Sequence, residues 1–221
     1  MDLEEVFEKL GGSFITPPAE IASRLSDIRV FIFDWDGVFN NGMKTGETGS
    51  PFSEVDSMGI NLLRFSFWLK NGKMLHSFII TGMINQAAIG FARREHFDGI
   101  FMNQKNKQLA LNTICESLKI KTSQVAFIFD DIIDIAVAKL CGLTFFVNRK
   151  SNPLLSEYIM ENKIASYITA HSGDRNAIRE ICELLIGLNG NYNKSVEMRS
   201  GYSEEYREYF EMRNSIDTIA G

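Results

Sequence analysis

Three cysteines, three histidines and four prolines among 221 residues leave little material for several common chemistries. Cys115, Cys141 and Cys182 are odd in number, widely spaced and set in apolar stretches, so buried thiols are expected in place of disulfides or a zinc centre. His76, His96 and His171 share no ligand spacing, and none is assigned to a metal. No apolar run approaches the roughly 20 residues that cross a bilayer. Met1-Asp2-Leu3-Glu4-Glu5 has no basic segment leading into an apolar one, so a cytoplasmic protein without a membrane partner is expected. Positive charge is scarce as well. With 23 Lys and Arg scattered among 28 Asp and Glu, the formal net charge is −5, which gives no electrostatic footprint for nucleic acid. A phosphorylated ligand would have to be attracted locally.

What is present is a core and a rhythm. A hydrophobic content of 45% suffices for one domain with flanking segments. Strand patterns at 28–34, 74–80, 99–102, 125–129 and 143–147 alternate with helical ones at 59–70, 85–95, 108–118, 135–141, 154–163 and 176–188. The alternation predicts an α/β fold, a Rossmann-like doubly wound parallel sheet spanning residues 28–190. Residues 1–27 hold two short helical patterns broken by Gly11-Gly12 and Pro17-Pro18, and are expected as an arm outside this core. Residues 191–221 read as a polar tail, with an exposed helix near 203–210 and its last residues unordered until bound. The Gly- and Asn-rich stretch from Asn40 to Phe52 suits a β-hairpin inserted after the first strand, or a lid loop.

Three predicted strands end in polar side chains: Asp34 and Asp36, then Thr81, then Asp130 and Asp131. In an open parallel sheet, groups at the carboxyl ends of the strands converge on one crevice. Two aspartates two residues apart on extended backbone share a side, and unless the motif is a plain solubilising turn their repulsion is offset by a shared proton or a cation, which suggests a divalent metal such as Mg²⁺. Phosphoryl transfer through an aspartyl phosphate needs this set. Asp34 is the candidate nucleophile and metal ligand, and Asp36 the candidate acid and base. Thr81 can offer its hydroxyl and backbone N–H to the phosphoryl oxygens, and Lys107 can neutralise charge there. Asp130 would complete an oxygen-only magnesium site, with Asp131 assisting or holding Lys107. Asp134 reads equally as a residue of the following helix's first turn or as a metal neighbour. A phosphoacceptor signalling module uses similar parts, but with the acid pair on the first strand and the acceptor on a later one, the reverse of the order here.

The sequence Asp34-Trp35-Asp36-Gly37, Thr81-Gly82, Lys107 and Asp130-Asp131-Ile132-Ile133-Asp134 resembles the motif set of the haloacid dehalogenase superfamily of phosphatases. Within it, Asp36 to Gly42, Asp56 to Ile60, Gln104 to Lys107 and Gly173 to Cys182 are similar to the 3-deoxy-D-manno-octulosonate 8-phosphate phosphatases and related sugar-acid 9-phosphate phosphatases. The resemblance implies a capless fold, a magnesium-dependent phosphomonoesterase acting on a small phosphorylated sugar acid, and a homotetramer whose neighbours roof the site. It also implies that Asp36 ligates metal through its carbonyl, that Gly82 supports the site, that Asp56 contacts substrate, and that Arg175, which could otherwise steady the loop before the last core helix, binds a substrate carboxylate. Three positions depart from the family pattern. Val55 and Met83 stand where arginines are usual, and Phe129 stands where glycine is usual and is expected to crowd the metal loop. These departures motivate an alternative, a catalytically weak or inactive homologue kept as a binding or assembly scaffold.

Overall fold

The computed structural model describes residues 2–44 and 49–221. Its spine is β2 (Val30–Phe33), four consecutive buried residues. Parallel partners lie on both sides, β3 (His76–Ile80) and β5 (Val125–Phe129). Beyond β3 comes β4 (Gly99–Phe101), and beyond β5 come β6 (Leu143–Phe146) and β7 (Tyr167–Ile168), all parallel. Side chains alternate along β2, so Phe31 and Phe33 enter one core and Val30 and Ile32 the other. Helices α3 (Glu54–Asn71), α4 (Gln86–Arg94) and α8 (Ala177–Asn189) cover the first face. Helices α5 (Lys107–Leu118), α6 (Ile135–Ala138) and α7 (Pro153–Glu161) cover the second. The chain lays β2, β3 and β4 in one direction, then returns to build β5, β6 and β7 on the other side of β2. Loops leaving β2 and β5 therefore diverge, and a crevice opens between them.

The terminal segments add elements that the sequence reading set apart from the core. Helices α1 (Leu3–Leu10) and α2 (Pro18–Leu25) flank β1 (Ser13–Phe14), which pairs antiparallel with β7. Phe7, Ile21 and Leu25 are buried in the same core as α3 and α8, so the segment expected outside packs within. At the other end, α9 (Tyr192–Ser200) and α10 (Glu204–Asn214) precede β8 (Ile219–Ala220), which pairs with β4. The tail expected to stay unordered is anchored by two buried tyrosines. Tyr206 donates its hydroxyl to Asn61 Oδ1 at 2.9 Å and Tyr209 donates to the Asn61 carbonyl at 3.1 Å. Aromatic burial with a satisfied hydroxyl favours docking, and the polar residues between these rings hid it. Tyr206→Phe leaves the buried Asn61 side chain short of a donor, so urea unfolding should report a loss of about 1–2 kcal/mol.

One local expectation changes and another lies partly outside the described residues. Phe129 does not reach into the loop after β5: its ring stacks on Phe127 and packs against Phe146 within the sheet's second core. The hairpin expected over 40–52 falls partly on residues 45–48, outside the described residues, and 41–44 and 50–53 carry no strand. All three cysteines are free thiols, two of them buried.

Candidate active site

Asp34 follows β2 directly, with its backbone N–H still donating to the Ile128 carbonyl of β5 at 2.9 Å. After it the backbone leaves the strand and turns at Gly37, where φ is +87°. A glycine is required there twice over. The left-handed conformation disfavours side chains, and a Cβ would lie 1.6 Å from Arg149 Nη2 and 2.1 Å from Asp130 Oδ2. Asn40 fixes the turn by accepting from the N–H groups of Gly37 (3.2 Å) and Gly42 (2.8 Å) while donating to the Pro51 carbonyl at 3.1 Å.

Lys107, the first residue of α5, is buried and bridges two carboxylates: Asp34 Oδ1 at 2.7 Å and Asp134 Oδ1 at 2.6 Å. Burial alone would lower the pKa of this ammonium, but the charges of Asp34 and Asp134 outweigh it and leave the group above its ordinary range. Asp130, directly after β5, is also buried, and Arg149 forms an ion pair with its Oδ2. Asp34, Asp130 and Asp134 bring carboxylate oxygens within 4.8 Å of one another. Burial first, then the Asp34 charge, pushes both Asp130 and Asp134 well above the usual carboxylate range.

This arrangement has an unfilled requirement. Asp130 Oδ1 and Asp134 Oδ2 are buried without a hydrogen-bond donor, and the Arg149 pair lies outside hydrogen-bond alignment. Three carboxylates share one lysine and the edge of one guanidinium, so the residues fit a hard divalent cation, whose preferred ligands are oxygens.

No family model matches the chain. Among curated proteins, it is 30% identical to 3-deoxy-D-manno-octulosonate 8-phosphate phosphatase KdsC of Yersinia pestis over 171 residues, covering 76% of this chain and 84% of that protein. The chain belongs to this phosphatase family. The KdsC of Escherichia coli (strain K12) is 29% identical over 181 residues, covering 80% of this chain and 89% of the relative. Among solved structures, the Moraxella catarrhalis 3-deoxy-D-manno-octulosonate 8-phosphate phosphatase, in complex with magnesium ion, phosphate ion and KDO, superposes with a TM-score of 0.66. It is 25% identical, and the match covers 81% of this chain and 97% of that one.

Other residues expected at the site of this KdsC relative are distributed unevenly. Thr81, after β3, is fully buried and its hydroxyl has no hydrogen-bond partner, consistent with a group held for a ligand. Its backbone N–H, however, donates to the Phe101 carbonyl at 2.9 Å, so only the hydroxyl is available. Gly82 follows with open space around its Cα. Asp36 sits apart from the carboxylate cluster, accepting from Ser50 Oγ at 2.7 Å and pairing with Lys44. Asp131 is exposed and caps the N–H of Ile132 at 2.7 Å; the residue that holds Lys107 is Asp134. A single turn of 3-10 helix over Ile132–Asp134 swings Asp134 inward, which motif spacing alone left open. Arg175 lies exposed on the rim of a neighbouring cavity, not on the acid cluster. Arg149 and Asn40 were not anticipated. Asn40 had a signal in its turn-forming Asn-Asn-Gly run; Arg149 had none, because only the fold brings it over Gly37.

Asp56 is the clearest correction. It is fully buried between α3 and α8, accepting from the Arg179 N–H at 2.9 Å and from Asn176 Nδ2 at 3.3 Å, so no surface remains for substrate. Burial raises its pKa to about 6, partly opposed by these hydrogen bonds. A native pKa above the unfolded value means the folded state binds the proton more tightly, so stability falls as pH rises from about 4 to about 6 and stays lower above it. Asp56→Asn keeps an acceptor for Arg179 without a charge. It should gain about 1–2 kcal/mol in urea unfolding at pH 7.5 and nothing at pH 4, with a flatter profile between.

Proposed function

We propose that the protein is a cytoplasmic, magnesium-dependent phosphomonoesterase acting on a small phosphorylated sugar acid through an aspartyl-phosphate intermediate. The observation that carries this reading is the buried cluster of Asp34, Asp130 and Asp134 around Lys107 at the crevice between β2 and β5. Asp34 and Asp130, with the Asp36 carbonyl, would hold Mg²⁺, and the ion supplies charge neutralisation that lets a phosphate monoester approach. Lys107 holds Asp34 Oδ1, leaving Oδ2 to attack phosphorus. As the P–O ester bond breaks, Asp36 gives its proton to the leaving alkoxide. It then takes a proton from water, whose oxygen attacks the acyl phosphate, releasing phosphate and restoring Asp34. The Thr81 hydroxyl donates to a phosphoryl oxygen throughout.

Phosphate release from a panel containing an 8-phosphate and a 9-phosphate sugar acid and simple hexose phosphates, with and without Mg²⁺, tests this reading. Metal-dependent turnover of a sugar-acid ester is the expected result. A protein that binds Mg²⁺ and releases no phosphate across the panel would instead be the inactive scaffold suggested by Val55 and Met83. The homotetramer belongs to the same proposal: Met83, Ile84, Leu109, Ile132 and Ile133 are exposed apolar residues on loops and a helix start around the crevice, suited to cover by neighbouring copies. Light scattering at micromolar concentration should give four times the chain mass, and a monomer would rule the assembly out.

A further inference from the structure

Positive charge reaches the acid cluster from a stretch of the chain outside the motifs that build it. Arg149 and Lys150 follow β6, whose C-terminal end adjoins that of β5. Arg149 is seated rather than free. Its guanidinium fills the space above Gly37, reaches within 3.3 Å of where a Gly42 Cβ would stand, and touches Asp130 through one nitrogen. Its Nε is buried without a partner. The rest of the group lines a cavity of about 230 Å³ together with Lys150, Asn40 and Ser172. A second cavity of about 440 Å³ shares Lys150 and Ser172 and adds Arg175. Among the described residues, Lys150 and Arg175 have no ion-pair partner. The one acid on the shared rim, Asp174, accepts from Ser172 Oγ at 2.6 Å.

In a chain of net charge −5, two adjoining cavities thus carry three cations, two of them unpaired, and the third, Arg149, reaches the carboxylate cluster through Asp130. Resting on the phosphatase reading above, we propose that Arg149 and Lys150, with Arg175 at the outer end, form an anion subsite that binds the substrate's carboxylate while its phosphate lies at Asp34. A planar guanidinium held at Asp130 through one terminal nitrogen has its other terminal nitrogen left to donate to a carboxylate, and Lys150 adds an unpaired ammonium beside it.

Calorimetric titration of the full chain in Mg²⁺ with 3-deoxy-D-manno-octulosonate and with its carboxamide isolates the carboxylate. The wild type should bind the acid at least about tenfold tighter than the amide, as expected for a charge-assisted contact. Lys150→Met, at an exposed position where folding is not at risk, should cut that preference by roughly threefold or more, and K150M/R175M, which leaves the Arg149–Asp130 pair in place, should cut it further while leaving amide affinity within about twofold. Equal binding of acid and amide by the wild type, no binding of either, or an unchanged preference in both variants overturns the subsite. Phosphate release is scored separately. A wild type that prefers the acid but releases no phosphate retains the subsite and loses the catalytic reading, whereas turnover without acid preference does the reverse.

Discussion

Asp34→Asn should abolish phosphate release, by at least about 10³-fold, and yield a protein more stable than the parent. The loss follows from removing the nucleophile, since deletion of a covalent catalyst costs several orders of magnitude in enzymes that depend on one. The gain follows from the surroundings. Asp34 contributes to raising the pKa values of both Asp130 and Asp134, so its charge repels theirs across the folded cluster. Asparagine keeps an oxygen for Lys107 and relieves that repulsion. An increase of about 1 kcal/mol would raise the melting temperature by about 2–4 °C in a chain of this size. Turnover assays and thermal unfolding at pH 7.5 without metal check the two halves, and an asparagine variant that is inactive but less stable would mean that Asp34 is chiefly a structural partner of Lys107.

Lys107→Met should be the most damaging single change to stability. Among the described residues, the ammonium is the one group that bonds two of the three buried carboxylates, at 2.7 Å and 2.6 Å, and methionine fills its volume without its charge. Removing one partner from a buried ion network typically costs about 3–5 kcal/mol, because the remaining charges are left unpaired. The pH dependence identifies the cause. Without the lysine, the Asp134 carboxylate, already pushed up by burial and by the Asp34 charge, binds its proton still more tightly in the folded state than in the unfolded one, so the variant should regain stability as pH falls toward 5. Urea unfolding of both proteins at pH 5 and pH 8 measures this, and a deficit equal at the two values would point to lost packing instead of lost charge compensation.

Much of this centre was legible in the chain because its parts sit at strand ends. The buried runs of β2 and β5 placed Asp34 and Asp130 side by side, and the alternation of strand and helix gave the crevice between them. Lys107 had little beyond its motif to mark it in the sequence; in the structure it is the residue that opens α5 and turns inward, capped by Asn106. Asp56 misled because a buried acid at a helix interface has the same letters as a substrate ligand. Its partner, the N-terminal turn of α8, lies more than a hundred residues away. The two-residue strands β1, β7 and β8 carried no period to read, since strand alternation needs four or more residues to show. For α10, the buried Tyr206 and Tyr209 alternate with charged residues that face solvent, which resembled a solvated helix.

The short strands contributed by the two ends of the described chain have a further effect. β1 closes one margin of the sheet against β7 and β8 closes the other against β4, and each is only two residues long. Open strand margins invite other chains to continue a sheet, and brief, terminal strands are among the devices that block such growth. A sheet running from one molecule into the next is therefore disfavoured at both margins, and any contact between copies would fall to side chains and loops.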